Sequence, residues 1–402
     1  VYSSNQSLIE KGECGGAVTS LLKFMLDTKM VDGVVTVKAR NDDRYAGVPV
    51  LITESERLIE TSGSLHCSTP NIARFVKTYL DGATTTKLAI VGKPCDIRAI
   101  IELQKRKQID ANNLILVGLN CTGTLSPVKA REMYVEEFHV APSEVVKEDI
   151  DNGELVIILK DKTRMSMDLK ELEEKGYGRR ENCRRCDINI PIMADIACGK
   201  WGTENSKNPR TFIETCSDTG RTLIQKAAEN GSIQIEVPDD KSIQNREKKN
   251  QTEIARAKKW LERDLKPLQE LNQEERLEYW WNEFNKCVKC YGCRDACPLC
   301  YCDNCLLEAN REYLEKGRIP PTAIFPLTRL AHVADSCVNC GQCQDVCPME
   351  LPLSKLFTIL HKKLSKLFAY TPGIDIEQGP PLITITEEEQ RLDSPFLDIT
   401  KI

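Results

Sequence analysis

Cys287-Val288-Lys289-Cys290-Tyr291-Gly292-Cys293-Arg294-Asp295-Ala296-Cys297-Pro298 and Cys337-Val338-Asn339-Cys340-Gly341-Gln342-Cys343-Gln344-Asp345-Val346-Cys347-Pro348 repeat one pattern near the C-terminus. Each run has the C-x₂-C-x₂-C-x₃-C-P spacing of a bacterial-type ferredoxin. Three close thiolates hold three irons of one 4Fe–4S cube, and the fourth cysteine serves the neighbouring cube. The spacing therefore groups Cys287, Cys290 and Cys293 with Cys347, and Cys337, Cys340 and Cys343 with Cys297. Disulfide frameworks suit small secreted domains, and zinc has no need of four cysteines followed by proline, twice over. The expected module is a two-cluster, α+β ferredoxin domain that moves electrons.

Outward from these runs, 402 residues allow two or three domains. No apolar run approaches the roughly 18 residues of a membrane span. The opening Val1-Tyr2-Ser3-Ser4-Asn5 lacks the basic and apolar regions of a secretory signal, and its missing methionine suggests a trimmed leader. Nineteen cysteines without a signal point to a reducing cytoplasm and to metal ligation rather than bridges. A net charge of −5 with interspersed signs argues against nucleic acid as a partner.

Residues 1–239 read as an α/β domain. Gly15-Gly16-Ala17 opens a helical period through Val18, Leu21, Leu22, Met25 and Leu26. Val34–Val37, Leu88–Val91 and Leu114–Val117 read as strands, and helices are expected from about Pro70 and from Ile97. Two strands end in turns bearing a cysteine, Gly92-Lys93-Pro94-Cys95 and Gly118-Leu119-Asn120-Cys121. Open α/β sheets bind ligands outside such strand ends. Residues 240–286 form a charged helical linker with Pro267 expected to break or kink it; Leu277, Trp280, Trp281 and Phe284 keep a helical stripe, whose rings are expected to pack on the cluster domain. Residues 287–356 hold the ferredoxin runs, with an insertion carrying Cys300, Cys302 and Cys305. Residues 357–402 give an amphipathic helix through Tyr370 and an extended tail with the acidic Glu387-Glu388-Glu389.

In the first domain, Cys95, Cys121, Cys183 and Cys186 make a plausible four-thiolate set for a third cluster, although a lone C-x-x-C also serves as a zinc half-site or redox pair. Cys14, Cys67, Cys198 and Cys216 read as buried free thiols. Cys300, Cys302 and Cys305 admit either a further metal site, for which three thiols still need a fourth ligand, or packing near the first cluster, the preferred reading. Gly15, Gly16, Ala17, Thr19 and Ser20 open a helix whose backbone N–H groups suit an anionic cofactor phosphate. The G-x-G-x-x-G fingerprint is absent, so an NAD argument does not apply.

Gly15–Leu22, Gly92–Ile97, Gly118–Cys121, Cys183-Arg184-Arg185-Cys186-Asp187 and Ala194–Gly202 together resemble the β-subunit family of coenzyme F420-dependent hydrogenases and dehydrogenases. The fused ferredoxin module resembles the formate-dehydrogenase branch of that family. The resemblance implies FAD on the N-terminal domain, with Gly15, Gly16, Ala17, Thr19, Ser20, Lys93 and Asn120 as its candidate contacts and a 4Fe–4S cluster beside it. It implies coenzyme F420 as hydride acceptor, with Lys38, Arg40, Lys93, Arg98 and Lys200 as candidate cations for its anionic tail. Formate oxidation supplies two electrons, clusters pass them singly and a deazaflavin takes only a hydride, so FAD is the converter. The chain shows no pterin module. The implied partner is a larger α subunit with a molybdenum or tungsten pterin, and a heterodisulfide reductase complex is an additional candidate. A hydrogenase or other F420-linked β subunit, and a flavin-free electron conduit or scaffold, are the alternatives.

Overall fold

The computed structural model describes residues 1–67, 70–203, 208–303, 305, 307 and 324–383. Its strands, in chain order, are β1 (Tyr2–Ser3), β2 (Gly33–Ala39), β3 (Gly47–Ile52), β4 (Leu88–Gly92), β5 (Leu114–Leu119), β6 (Val145–Asp151), β7 (Glu154–Leu159), β8 (Arg164–Asp168), β9 (Ile196–Gly199), β10 (Phe212–Thr215) and β11 (Ile233–Gln234). One sheet has the order β10-β9-β5-β4-β2-β3. Its central strands β9, β5, β4 and β2 run parallel, and its edges β10 and β3 pair antiparallel.

Every residue of β4 is buried, as expected of a parallel strand covered on both faces. Alternation divides its side chains between two apolar layers. Leu88 and Ile90 join Val76, Ile97 and Ile100 from the Ala73–Tyr79 and Pro94–Lys105 helices. Ala89 and Val91 join Leu21, Met25 and Leu223 from the Ala17–Asp27 and Asp218–Glu229 helices. The first layer also takes in Leu299 and Val338 from the cysteine runs. That seam fixes the ferredoxin module against one face of the sheet.

A second, antiparallel sheet β6-β7-β8 stands beside the first. The sequence reading did not anticipate it, although Asn152-Gly153 joins β6 to β7 with both residues left-handed, at φ 48° and 88°. Asn-Gly is the strongest short hairpin signal because both residues tolerate that conformation.

The linker forms one helix over Asp240–Gln269, which runs through Pro267 rather than breaking at it. The ring falls in the last turn, and the helix ends two residues beyond it, at Gln269. Asn272 and Glu275 form a capping box for the next helix, Gln273–Asn285. Trp280 stacks on Phe284 at 6.0 Å, and both pack with Leu330 and Leu356. Leu277 and Trp281 point outward instead.

Within 287–356 the described residues form helices, Gly292–Asp295, Ile324–Val333 and Gln342–Asp345, and the start of Leu353–Phe368. No strand occurs among these described residues of a module expected to be α+β. Tyr291 and Gly341, both left-handed, turn each cysteine run into a short helix closed by local hydrogen bonds such as Cys297 N–H to Arg294 O at 3.2 Å. Beyond Thr371 the chain folds back on the sheet domain. Arg98 Nε donates to Pro372 O at 2.7 Å, and Glu102 Oε1 accepts from Gly373 N at 2.7 Å. Glu387–Glu389 and much of the insertion lie outside the described residues. No helix among the described residues is long and apolar enough to cross a membrane.

Candidate functional site

The C-terminal ends of β4, β5 and β9 open into a cavity of about 270 Å³. Gly92 and Lys93 line it after β4, Leu119, Asn120 and Cys121 after β5, and Gly199, Lys200 and Trp201 after β9. Gly16, Ala17 and Thr19 close it from the start of the Ala17–Asp27 helix, and Asp149 and Ile150 of β6 contribute a further wall. Gly16 is required there. Its φ is +68°, and an added Cβ would stand 2.3 Å from the Leu8 carbonyl oxygen.

Of the other predicted contacts, Gly15 and Ser20 do not line the cavity. The Gly15 carbonyl accepts the Ser3 N–H, and Ser20 Oγ shares a 2.5 Å hydrogen bond with Ser3 Oγ. Lys93 donates to Asp96 Oδ2 at 2.7 Å. Burial works against its charge, but the adjacent carboxylate prevails and holds its pKa above the lysine range. Asn120 is different: neither its Nδ2 nor its Oδ1 has a partner, although both are buried. Gly199 leaves it room, since a Cβ there would lie 2.4 Å from Nδ2.

The five candidate cations divide. Lys93 and Lys200 line the cavity, whereas Lys38, Arg40 and Arg98 do not. Lys200 donates to both carboxylate oxygens of Asp149, at 2.7 and 2.6 Å. Lys38 pairs with Glu60, Arg40 pairs with Asp42, and Arg98 faces the ferredoxin run through Val338 O at 3.2 Å. His66, unmarked by the sequence reading, lines the cavity 3.8 Å from Asp149, and burial lowers its pKa. A lone histidine before Cys67 carries no motif that would have singled it out.

Cys95 lies in the first turn of its helix, Cys121 follows β5, and Cys183 and Cys186 flank the end of the Glu181–Arg184 helix. Cys121 and Cys186 act electrostatically on Cys95, and Cys183 on both Cys121 and Cys186. Burial pushes Cys121 up to about 12 and Cys186 to about 11. Buried thiols in this state need an adjacent cation or metal to become thiolates. Cys121 also lines the large cavity, so the two sites share a wall.

In the module, Cys287, Cys290, Cys293 and Cys347 line one small apolar cavity. Cys297, Cys337, Cys340 and Cys343 line a second. Cys340 lies within electrostatic reach of Cys95, and Cys343 within reach of Cys293. The sites thus form a series: large cavity, Cys95 set, Cys340 set, Cys287 set. Among the described residues no group of three or more His, Cys, Asp or Glu side chains closes around a single metal ion. Thiolates at the corners of a cube stand further apart than those around one ion. Cys14 and Cys198 line the large cavity, and burial pushes each up to about 12. Cys300 Sγ accepts from Arg329 Nη2 at 3.3 Å, and Cys302 is exposed.

A family model described as coenzyme F420 hydrogenase/dehydrogenase, beta subunit N-term matches residues 1–75, and its C-terminus counterpart matches residues 85–241. The chain belongs to the coenzyme F420 hydrogenase/dehydrogenase β-subunit family. Behind that family's domains, a 4Fe-4S dicluster domain matches residues 283–351. Among similar members of the family, the F420-dependent formate dehydrogenase subunit beta of Methanocaldococcus jannaschii is 46% identical, covering 96% of this chain and 98% of its own. The F420-dependent formate dehydrogenase 1 subunit beta of Methanococcus maripaludis is 43% identical, over 95% and 96%. A chain of the F420-reducing [NiFe] hydrogenase complex of Methanosarcina barkeri shares the fold at a TM-score of 0.55. It is 19% identical and covers 65% of this chain and 89% of that one.

Proposed function

We propose that this chain is the electron-transferring β subunit of a formate dehydrogenase. It passes electrons from formate oxidation on a partner subunit through three 4Fe–4S clusters to FAD, and then, as hydride, to coenzyme F420. The observation that carries the reading is Cys121, which belongs both to the wall of the large cavity and to the first cysteine set. A flavin in that cavity is next to a cluster, and each following set lies beside the next.

The residues fit the groups they would hold. Asn120, buried and unpartnered, can donate and accept at once along the edge of a flat heterocycle. The N–H groups at Gly16 and Ala17 favour phosphate, and Lys93, paired with Asp96, lines the same cavity. The three cysteine sets would take one cube each: Cys95, Cys121, Cys183 and Cys186; Cys297, Cys337, Cys340 and Cys343; Cys287, Cys290, Cys293 and Cys347. When bound, FAD supplies the exchange between single electrons and a hydride. Lys200 stays neutralised by Asp149, so it positions rather than attracts an anionic tail.

Formate chemistry belongs to a larger α subunit with a molybdenum or tungsten pterin. Cys290, the exposed member of the outermost set, marks the edge where that partner's electrons enter. The test mixes anaerobically purified full chain with reduced coenzyme F420 and a viologen dye. Rapid dye reduction, absent with NADH, is the expected result. No turnover at full flavin and iron occupancy sinks the deazaflavin assignment and leaves an electron conduit.

A further inference from the structure

Buried arginines stand in the gaps of this series, and two of them, Arg180 and Arg329, differ in how their charge is compensated. Arg180 lies between the Cys95 and Cys340 sets. Its Nη1 is 3.9 Å from Cys183 Sγ, its Nη2 donates to Cys340 O at 2.8 Å, and Asp345 pairs with it. Arg329, only 3% exposed, lies between the two module sets and lines both of their cavities. Its charge faces Cys293, Cys297, Cys300 and Cys343, and no carboxylate among the described residues pairs with it. Its Nε has no partner.

A buried cation with no carboxylate partner among the described residues is costly to place. It is tolerated where negative charge collects, and here that charge would be the thiolates of two cubes. We propose that Arg329 sets the reduction potentials of both module clusters, acting as a positioning charge shared by the pair. Each cube that takes up one electron gains one negative charge within reach of the guanidinium, which stabilises the reduced state. Arg180, already neutralised by Asp345, has little of this effect. The module pair is thereby held at higher potential than its cysteine ligands alone would give, and its two members move together.

This inference rests on the reading of the eight module cysteines as cluster ligands. The test is an EPR-monitored redox titration of the full chain with its partner subunit, dithionite supplying the electrons, for the parent and for Arg329→Gln and Arg329→Lys. The glutamine variant is expected to lose at least tenfold in the reduction equilibrium constant of both module clusters, about 59 mV for one electron. The Cys95-set signal should stay in place. The lysine variant, which keeps the charge, should stay within tenfold of the parent. Unchanged potentials in an iron-replete glutamine variant overturn the proposal. If that variant fails to take up iron, the lysine variant decides: potentials that fall tenfold or more although the charge is kept also overturn it. Absence of both module signals from the parent would instead sink the cluster reading itself.

Discussion

In the α/β body, the residues that meet at the large cavity come from Gly16, Lys93, Asn120, Asp149 and Lys200, and only the sheet order brings them together. In the cysteine module, each set takes three members from one short run and its fourth from the other. The body rests on two apolar layers around a buried sheet, a packing that draws on no cofactor. The module's described core is smaller and interleaved with its own cysteines. One region builds a site from topology, and the other builds topology around a site.

The largest consequence concerns iron. Where metal-binding residues supply much of a small domain's core, metal binding and folding are one equilibrium. Anaerobic chelation should therefore open residues 287–356 to protease while residues 1–239 stay resistant and keep a cooperative melt. Equal protection of both regions after iron removal breaks the comparison.

A next test lies on the seam. Glu102, fully buried, accepts from Gly373 N and Tyr370 Oη and pairs with Lys105 and Arg106. Arg106 reaches on to Asp335 at 3.5 Å, beside the second cysteine run. Glu102→Gln leaves two buried cations undercompensated, and breaking a buried pair in this way costs about 3–5 kcal/mol. Urea denaturation should register that loss. Flavin-to-cluster electron transfer should slow as well, because the same network holds the tail and the module against the sheet. A change confined to stability would show that the sheet's apolar contacts alone set the distance.

The contrast also explains what could be read from the chain. Cysteine spacing is local, so Cys287–Cys297 and Cys337–Cys347 declared their grouping in sequence. Hydrophobic period gave β2, β4, β5 and their helices, because burial on one or two faces imposes it. The β6-β7-β8 sheet was legible in Asn152-Gly153 and went unread. Asp149 and His66 were not legible, since their role depends on a neighbouring sheet that brings them to the cavity. The cations show the same limit. Sequence supplies a positive charge, but only the fold shows that Arg98 turns to Val338 and Lys200 to Asp149. Arg329 was likewise silent, its meaning set entirely by the two loops around it.

Asn120 tests the body's half of the comparison more finely. Its amide has no internal partner, so Asn120→Ala removes no hydrogen bond from the fold and relieves two buried polar atoms of an unmade one. The melting temperature of the flavin-free chain should stay level or rise. Flavin affinity should fall about tenfold, near 1.4 kcal/mol, measured by flavin release on ultrafiltration. Tight flavin retention would place the ring elsewhere in the cavity.

Lys38 should give the smallest effect and is informative for that reason. It is a basic residue on β2, the strand whose Thr36 and Val37 line the cavity, and sequence alone makes it a candidate for the anionic tail of coenzyme F420. The fold instead pairs it with Glu60 outside the cavity lining. A partly exposed pair of this kind contributes no more than about 1 kcal/mol. Lys38→Ala should accordingly leave the KM for coenzyme F420 within about fivefold, since under 1 kcal/mol of indirect effect remains to be felt. A KM rise well beyond that, with stability unchanged, would mean that the tail reaches past the cavity rim to β2. The acceptor would then be held by surface charge rather than by the strand ends.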